Sequence, residues 1–372
     1  MERSKMNIAY KYRIYPNEKQ KTLIEKTFEC CRKVWNLMLS DKISHYEKTG
    51  QSLMTTPAQY KDTYPFLKDV DSLALANVQL NLQSAYSNFF RDKKIGFPRY
   101  RSKKHPKKSY TTNMVNGNIV LDFDNKVIRL PKLGSVKTKY HRLSDDDWKV
   151  KSVTVSRNVI NEYYISVLFE YEEDIIPVKP DDKTVFVLGL DYKSDGLYVD
   201  SNGNKCAMPH YYRNSQKKLS KQQRKLSKKK LHSNNRYKQQ LKVNKIAIHT
   251  SRQRTDFLHK ESKKITNSYD FVSVEDLDMK GLSQSLKLGK ATMDNGYGMF
   301  INMLSYKLEA RGGKLIAIDR WFPSTQLCSN CGSIKKIPLS QRTYTCDCGI
   351  SIDRDYNSAI NIAHEGKRLI LT

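Results

Sequence analysis

Four cysteines fall within 21 residues near the C-terminal end, and they constrain that stretch more than any other feature of the chain. They form two pairs, Cys328-x-x-Cys331 and Cys346-x-Cys348, with 14 residues between them and a glycine beside each, Gly332 and Gly349. Four thiolates on two tight turns suit a tetrahedral zinc and leave no open coordination position, so the expected site is structural. The second pair is one residue tighter than the first but keeps the ligand count. Segment 320–350 has few aliphatics for a core of its own, so metal is expected to supply its folding energy. The ribbon would grip DNA or brace the surrounding domain. Seven cysteines in all is an odd number, which fits a reducing compartment and a metal site better than a disulfide framework.

The charge balance narrows the partner. Lys+Arg number 66 against 38 Asp+Glu among 372 residues, a net +28, and the pI is near 9.6. Aromatic residues make up 10% of the chain and apolar residues 38%, so it can build cores while keeping a strongly cationic surface. The length allows two or three domains. A structured polycation expects a polyanion: nucleic acid first, an anionic membrane surface second. No apolar run is long enough to span a bilayer, and the first residues lack the apolar region of a secretory signal.

Periodicity divides the chain. Residues 7–14 alternate as a strand. Asn17 and Gln20 then form a capping box for a helix with an apolar stripe at Ile24, Phe28, Cys31, Trp35 and Met38. Of the adjacent Cys30 and Cys31, one is expected in the core and one beside it. A second stripe, Leu75, Val78, Leu82, Tyr86 and Phe89, ends before Gly96, Pro98 and a basic loop at 99–108. From 110 to 172 the period is two, as in an antiparallel sheet or small barrel that strand 7–14 would complete. Pro177 and Pro180 mark a linker. A new domain opens with the apolar run 184–190, followed by a hairpin, a strand at 271–274, a helix from Tyr297, a strand at 315–318 and a last helix.

Three carboxylates stand at the ends of these elements. Asp191 follows the run 184–190, Glu275 ends the strand at 271–274, and Asp355 opens the last helix. Three acids converging in a cleft of a cationic protein would hold divalent metal against phosphates. Two Mg²⁺ ions there would activate water and stabilise the leaving oxygen of a phosphodiester. Mg²⁺ keeps several waters, so few protein ligands suffice. Each acid alone is more simply a cap or a solvated group; their order gives them weight. Segment 211–264 carries 18 Lys+Arg and two acids, Asp256 and Glu261. So unmixed a sign favours a helix along phosphates over a solvated face, with Lys217, Lys218, Lys221, Arg224 and Lys225 as contacts. Tyr211, Tyr212 and Tyr237 would stack on bases or simply pack.

The chain resembles the TnpB (OrfB) proteins of small bacterial insertion sequences, which are related to type V CRISPR effector nucleases. The resemblance lies in Leu188-Gly-Leu-Asp191, Val272-Ser-Val-Glu275, the stretch from Asp319 through Cys328-Ser-Asn-Cys331-Gly, and Asp353-Arg-Asp355-Tyr-Asn-Ser-Ala-Ile-Asn-Ile362. It extends to Gly96-Phe-Pro-Arg-Tyr-Arg and other N-terminal blocks, so it covers nearly the whole chain. It implies an RNase H-like (RuvC) nuclease domain at 184–319 and 351–372 with a zinc-ribbon insertion at 320–350. It also implies a wedge-type β-barrel from 1–16 and 106–180 carrying a helical recognition lobe at 17–105. Asp191, Glu275 and Asp355 would be the Mg²⁺ ligands, with Asp353 supporting or capping. The implied function is an RNA-guided DNA endonuclease in the bacterial cytoplasm, at the nucleoid. Its partners would be a guide RNA from the transposon end and double-stranded DNA beside a short motif. Asn113 and Asn116, in a polar turn at 111–116, can pair bidentately with adenine of that motif, or merely form the turn. Lys193 stands where relatives often have glycine. The alternatives are an RNA-guided repressor without cleavage and a transposition accessory factor.

Overall fold

The computed structural model describes residues 4–104, 108–181, 185–285, 289–338 and 340–372. Thr184, the expected start of the second domain, and residues 105–107 of the basic loop lie outside the described residues. The chain divides into two compact units between Asp174 and Ile175.

In the first unit, β1 (Ser4–Tyr15) alternates strictly: Ile8, Tyr10, Tyr12 and Ile14 turn inward. Asn17 then caps α1 (Glu18–Thr49). Its side chain accepts from the Gln20 amide while the Gln20 side chain accepts from the Asn17 amide. Gln20 also donates to the carbonyls of Leu133 and Ser135, which ties the helix start to the sheet. The stripe Ile24, Phe28, Cys31, Trp35 and Met38 is buried. Cys30 is buried beside Cys31, contrary to the expectation of one core cysteine. With α2 (Ser72–Arg91) and the sheet both packed against it, α1 buries more than one narrow stripe.

Six further strands follow: β2 (Ser109–Asn113), β3 (Val120–Asp122), β4 (Val127–Leu130), β5 (Gly134–Lys139), β6 (Lys149–Arg157) and β7 (Tyr163–Glu173). The antiparallel sheet has the order β2-β6-β7-β1-β5-β4-β3. The first strand in sequence thus lies at its centre, paired Tyr12 to Ile165 on one side and Arg13 to Lys139 on the other. Among the described residues the ladder ends at β2 and β3 without closing on itself. Residues 111–113, expected in a turn, are strand; the turn is at 115–118, where the Asn118 amide donates to the Val115 carbonyl.

The second unit is built on a four-stranded mixed sheet. Its elements are β8 (Val187–Tyr192), β9 (Tyr198–Asp200), α3 (Tyr211–Ser227), α4 (Asn234–Ser268), β10 (Phe271–Glu275), α5 (Met279–Ser285), α6 (Gly289–Asn295), α7 (Tyr297–Glu309), β11 (Lys314–Ile318), a small hairpin of β12 (Thr343–Thr345) and β13 (Ser351–Asp353), and α8 (Arg354–Leu371). The sheet order is β11-β10-β8-β9, parallel except for β9. Of the parallel strands, β8 and β10 are buried on both faces along nearly their whole length, whereas β11, at the sheet edge, is partly exposed. On one face α8 presses close: a Cβ on Gly189 would collide with the Ala359 carbonyl, and one on Gly366 with the Ser273 hydroxyl. Ser273 Oγ donates to the Ile362 carbonyl at 2.8 Å across that contact.

Candidate functional site

Asp191 is the fifth residue of β8 and Glu275 the last of β10. The two strands are parallel neighbours with Leu190 opposite Val274, so both acids leave the sheet at one end and on one face. The start of α8 covers that face. Ser358 Oγ donates to Asp191 Oδ1 at 3.1 Å, and Asp355 lies one turn earlier on the same helix. Sheet pairing and helix packing therefore bring all three sequence-predicted carboxylates to one place. Asp353 is the N-cap of α8: its Oδ1 accepts from the Asp355 and Tyr356 amides at 3.0 and 3.1 Å. Its other oxygen takes the Lys205 ammonium at 2.8 Å.

The electrostatics follow from crowding like charges in a dry place. Burial, and then the charges of Glu275 and Asp355, push the Asp191 carboxyl well above its usual range. Burial also raises Glu275, partly offset by the hydrogen bond that Ser324 Oγ donates to it. Asp355 is balanced by cations, with Arg354 Nη2 3.1 Å from Oδ1 and Lys193 Nζ 3.5 Å from Oδ2. Lys193 thus spends its charge on a site carboxylate. The buried Tyr297 hydroxyl forms no hydrogen bond among the described residues, and its ionisation is pushed up by burial and by Asp191 and Glu275. A mutually repelling acid set with Asp191 buried and Glu275 and Asp355 half-buried, beside an orphaned hydroxyl, fits a hydrated hard cation with oxygen ligands. The three carboxylates do not stand as a ready-made ion cage, however. Among the described residues only the four cysteine sulfurs do so.

Those sulfurs, of Cys328, Cys331, Cys346 and Cys348, lie within 4.8 Å of one another. Cys328 to Cys348 and Cys331 to Cys346 are each 3.6 Å, close to the edge of about 3.8 Å that a tetrahedron of 2.3 Å zinc–sulfur bonds requires. Each pair sits on a turn closed by its glycine, with φ of 76° at Gly332 and 92° at Gly349. The Gly332 amide donates to the Cys328 carbonyl and the Gly349 amide to the Cys346 carbonyl. The Cys348 amide and the Ser333 hydroxyl hold Cys346 down to about 6, which favours the thiolate that zinc takes. Ser333 also lowers Cys331.

The ribbon is fastened to the helix that carries Asp355. Asn357 accepts from the Ser329 amide at 3.0 Å and donates to the Leu327 carbonyl at 2.7 Å. Asn361 donates to the carbonyls of Ser324 and Leu327 at 2.8 and 2.7 Å. Ser324 in turn holds Glu275. Sequence reasoning missed Ser324, Asn357, Ser358, Asn361 and Tyr297. A signal existed for the asparagines. They stand at i and i+4 on the buried face of α8, among Ala359, Ile362 and Ala363, where an unpaired amide would be costly.

The other predicted positions lie elsewhere. Lys217, Lys218, Lys221, Arg224 and Lys225 are all exposed on α3, and their spacing of four, seven and eight makes one cationic stripe. None of the five has an acidic partner among the described residues. α3 has no side-chain cap of its own: Asp294 accepts from the amides of Tyr212 and Arg213 at 2.9 and 3.3 Å. Asn113 ends β2. Asn116 is exposed in the following turn at φ 49°, a left-handed conformation that asparagine tolerates.

Comparison with known proteins adds to this geometry. Residues 166–286 match the family model described as "Probable transposase", 297–362 the "Cas12f1-like, TNB domain" and 6–51 a "Helix-turn-helix domain". That last stretch here is one strand and one long helix. A Streptomyces pristinaespiralis protein named "Putative RNA-guided DNA endonuclease" is 34% identical over 369 residues, 96% of this chain and 89% of the relative. The Escherichia coli K12 protein "Putative RNA-guided DNA endonuclease InsQ" is 29% identical over 392 residues, 97% of this chain and 93% of the relative. In fold, the chain is similar to the protein in the cryo-EM structure of a Cas12f1–sgRNA–target DNA complex. The TM-score is 0.60 at 11% identity, covering 96% of this chain and 99% of that one.

Proposed function

The chain belongs to the TnpB (OrfB) family, and from that premise we propose that it is an RNA-guided endonuclease of an insertion sequence that cuts double-stranded DNA beside a short motif. The observation that carries the proposal is the convergence of Asp191, Glu275 and Asp355 at one sheet end, with the Asp191 carboxyl pushed up by burial and then by the other two acids. The second unit, with its mixed sheet and α8, is then a RuvC-like nuclease domain with the cysteine ribbon inserted. The sheet of the first unit is a wedge-type domain carrying α1 and α2 as a recognition lobe.

Asp191, Glu275 and Asp355 would hold the catalytic Mg²⁺. The bound ions would supply activated water and charge stabilisation at the leaving oxygen. The chain's own part is positioning. Ser358 and Ser324 fix two of the carboxylates, and burial keeps them poorly solvated, so they gain most from a divalent partner. The α3 stripe contacts phosphates without reading sequence, which is delegated to the guide RNA. Asn113 and Asn116 are the proposed contacts to adenine edges of the adjacent motif. The four cysteines hold one structural zinc, which braces the start of α8.

A repressor that binds without cutting has no need of three charges crowded in a buried site, which costs stability. The experiment is to purify the full chain from its host and sequence the nucleic acid that comes with it. A single RNA with defined ends, continuing into the transposon end, is expected. Heterogeneous nucleic acid, or none, would contradict guidance and favour an accessory factor.

A further inference from the structure

The end of α2 carries an aromatic cluster that the catalytic account does not use. Phe89 lies 5.4 Å from both Phe90 and Phe97, centroid to centroid, and Tyr86 lies 5.5 Å from Phe97. Tyr86 and Phe90 are stacked at 6.3 Å and 24°. The outer faces are open to water: Phe90 is 73% exposed and Phe97 45%. Large apolar side chains gathered this way mark an interaction surface. The backbone beneath is fixed. Asp92 accepts from the Lys94 amide at 3.0 Å, and Gly96 turns the chain at φ 80°. Trp35 donates to the Arg99 carbonyl at 3.0 Å, and Asn36 both donates to and accepts from the Arg101 backbone.

Charge selects the occupant. Residues 91–104 hold seven Lys and Arg and one acid, and that acid, Asp92, is turned onto its own backbone. Arg101 is stacked on Trp35 at 3.6 Å, and a second copy of the chain would set the six exposed cations against themselves across a two-fold interface. Unpaired nucleotides meet both demands at once: bases stack on the exposed rings while phosphates meet the cations. We propose that Phe90 and Phe97 form a stacking platform for an unpaired stretch of the guide RNA, an inference that rests on the RNA-guided function proposed above. RNA is favoured over target DNA because the guide stays bound throughout, so it can keep these rings covered, whereas DNA is engaged only in passing.

The test measures binding of the copurified RNA, transcribed in vitro, to the full chain with Phe90 replaced. Phe90→Ala should weaken binding on the order of tenfold, the loss of one stacked base. Phe90→Leu should lose as much, although it stays apolar, and Phe90→Trp should bind like the wild type. None of the three should alter the slope of log K against log salt, whereas Lys93→Gln with Lys94→Gln should reduce it by about 0.7 per lost contact. Melting curves check folding, which an exposed side chain should not disturb. Leu binding as well as Trp would overturn the platform in favour of a merely apolar surface. Unchanged RNA affinity with weakened target-DNA binding would overturn the assignment to RNA. A change of oligomeric state in Phe90→Ala would mean the face covers a second copy. If the wild-type chain carries no defined RNA, the proposed function itself fails, and this shows before any substitution is made.

Discussion

Asp191 carries the sharpest conflict between stability and function. Folding places its carboxyl in a dry site facing two like charges, so its folded pKa lies above the unfolded value of about 3.9. The native state therefore binds more protons than the unfolded state between those two values, and stability falls as pH rises through that window. The cost grows as the pH rises above the unfolded value. Asp191→Asn should accordingly raise the melting temperature at pH 7 in the presence of chelator, while abolishing cleavage. The gain should shrink as the pH is lowered and the wild-type carboxyl protonates. An unchanged or lower melting temperature at pH 7 would contradict the buried repulsion. The three acids were legible in the sequence because each follows an apolar run or opens a helix. Their supports were not: Ser324 and Tyr297 are ordinary residues until the fold brings them to the site, and nothing in local pattern marks such long-range contacts.

At the scale of elements, α8 and the ribbon act together. Asn357 and Asn361 fasten the first knuckle to the helix that carries Asp355 in its first turn. Cys331→Ser should lose zinc and most cleavage together, although none of the four cysteines contacts the three carboxylates among the described residues. Asn361→Ala should keep zinc but destabilise by about 1–3 kcal/mol, because the Ser324 carbonyl loses its side-chain donor while Asn357 still serves the Leu327 carbonyl. Metal content beside a cleavage assay checks both; a zinc-free Cys331→Ser protein that cuts normally would reduce the ribbon to a surface module. On α3, replacing Lys217, Lys218, Lys221, Arg224 and Lys225 with Gln should flatten the salt dependence of nucleic-acid binding. Each lost contact should reduce the slope by about 0.9 on duplex and about 0.7 on single strands. An unchanged slope would make the stripe a solvated face. Long helices and long strands were legible from period and caps; α1 begins at the predicted capping box. β5 was not, because in Gly134–Lys139 only Val136 and Thr138 are buried, too few to show a period.

At the scale of the whole molecule, each unit shows in its own way that sequence neighbours are not spatial neighbours. β1 becomes the centre of the first sheet, and the proposed nuclease site collects acids separated by more than 160 residues. The alternation of period from two to 3.6 and back located the elements, but strand order depends on pairing across the whole unit. No described helix is long and apolar enough to cross a membrane, and the excess of 28 positive charges is the global counterpart of the α3 stripe and of the aromatic platform's cations. The central claim is that this charge presents nucleic acid to a carboxylate site of which Asp355 is a member and Asp353 only the helix cap. The most direct measurement is cleavage of matched double-stranded DNA by the copurified ribonucleoprotein, with Asp355→Ala and Asp353→Ala compared in Mg²⁺ and RNA content verified for both. The account predicts no cleavage by Asp355→Ala with guide RNA still bound, and cleavage reduced but present in Asp353→Ala. Cutting at the wild-type rate by Asp355→Ala, with Asp353→Ala inactive, would contradict it.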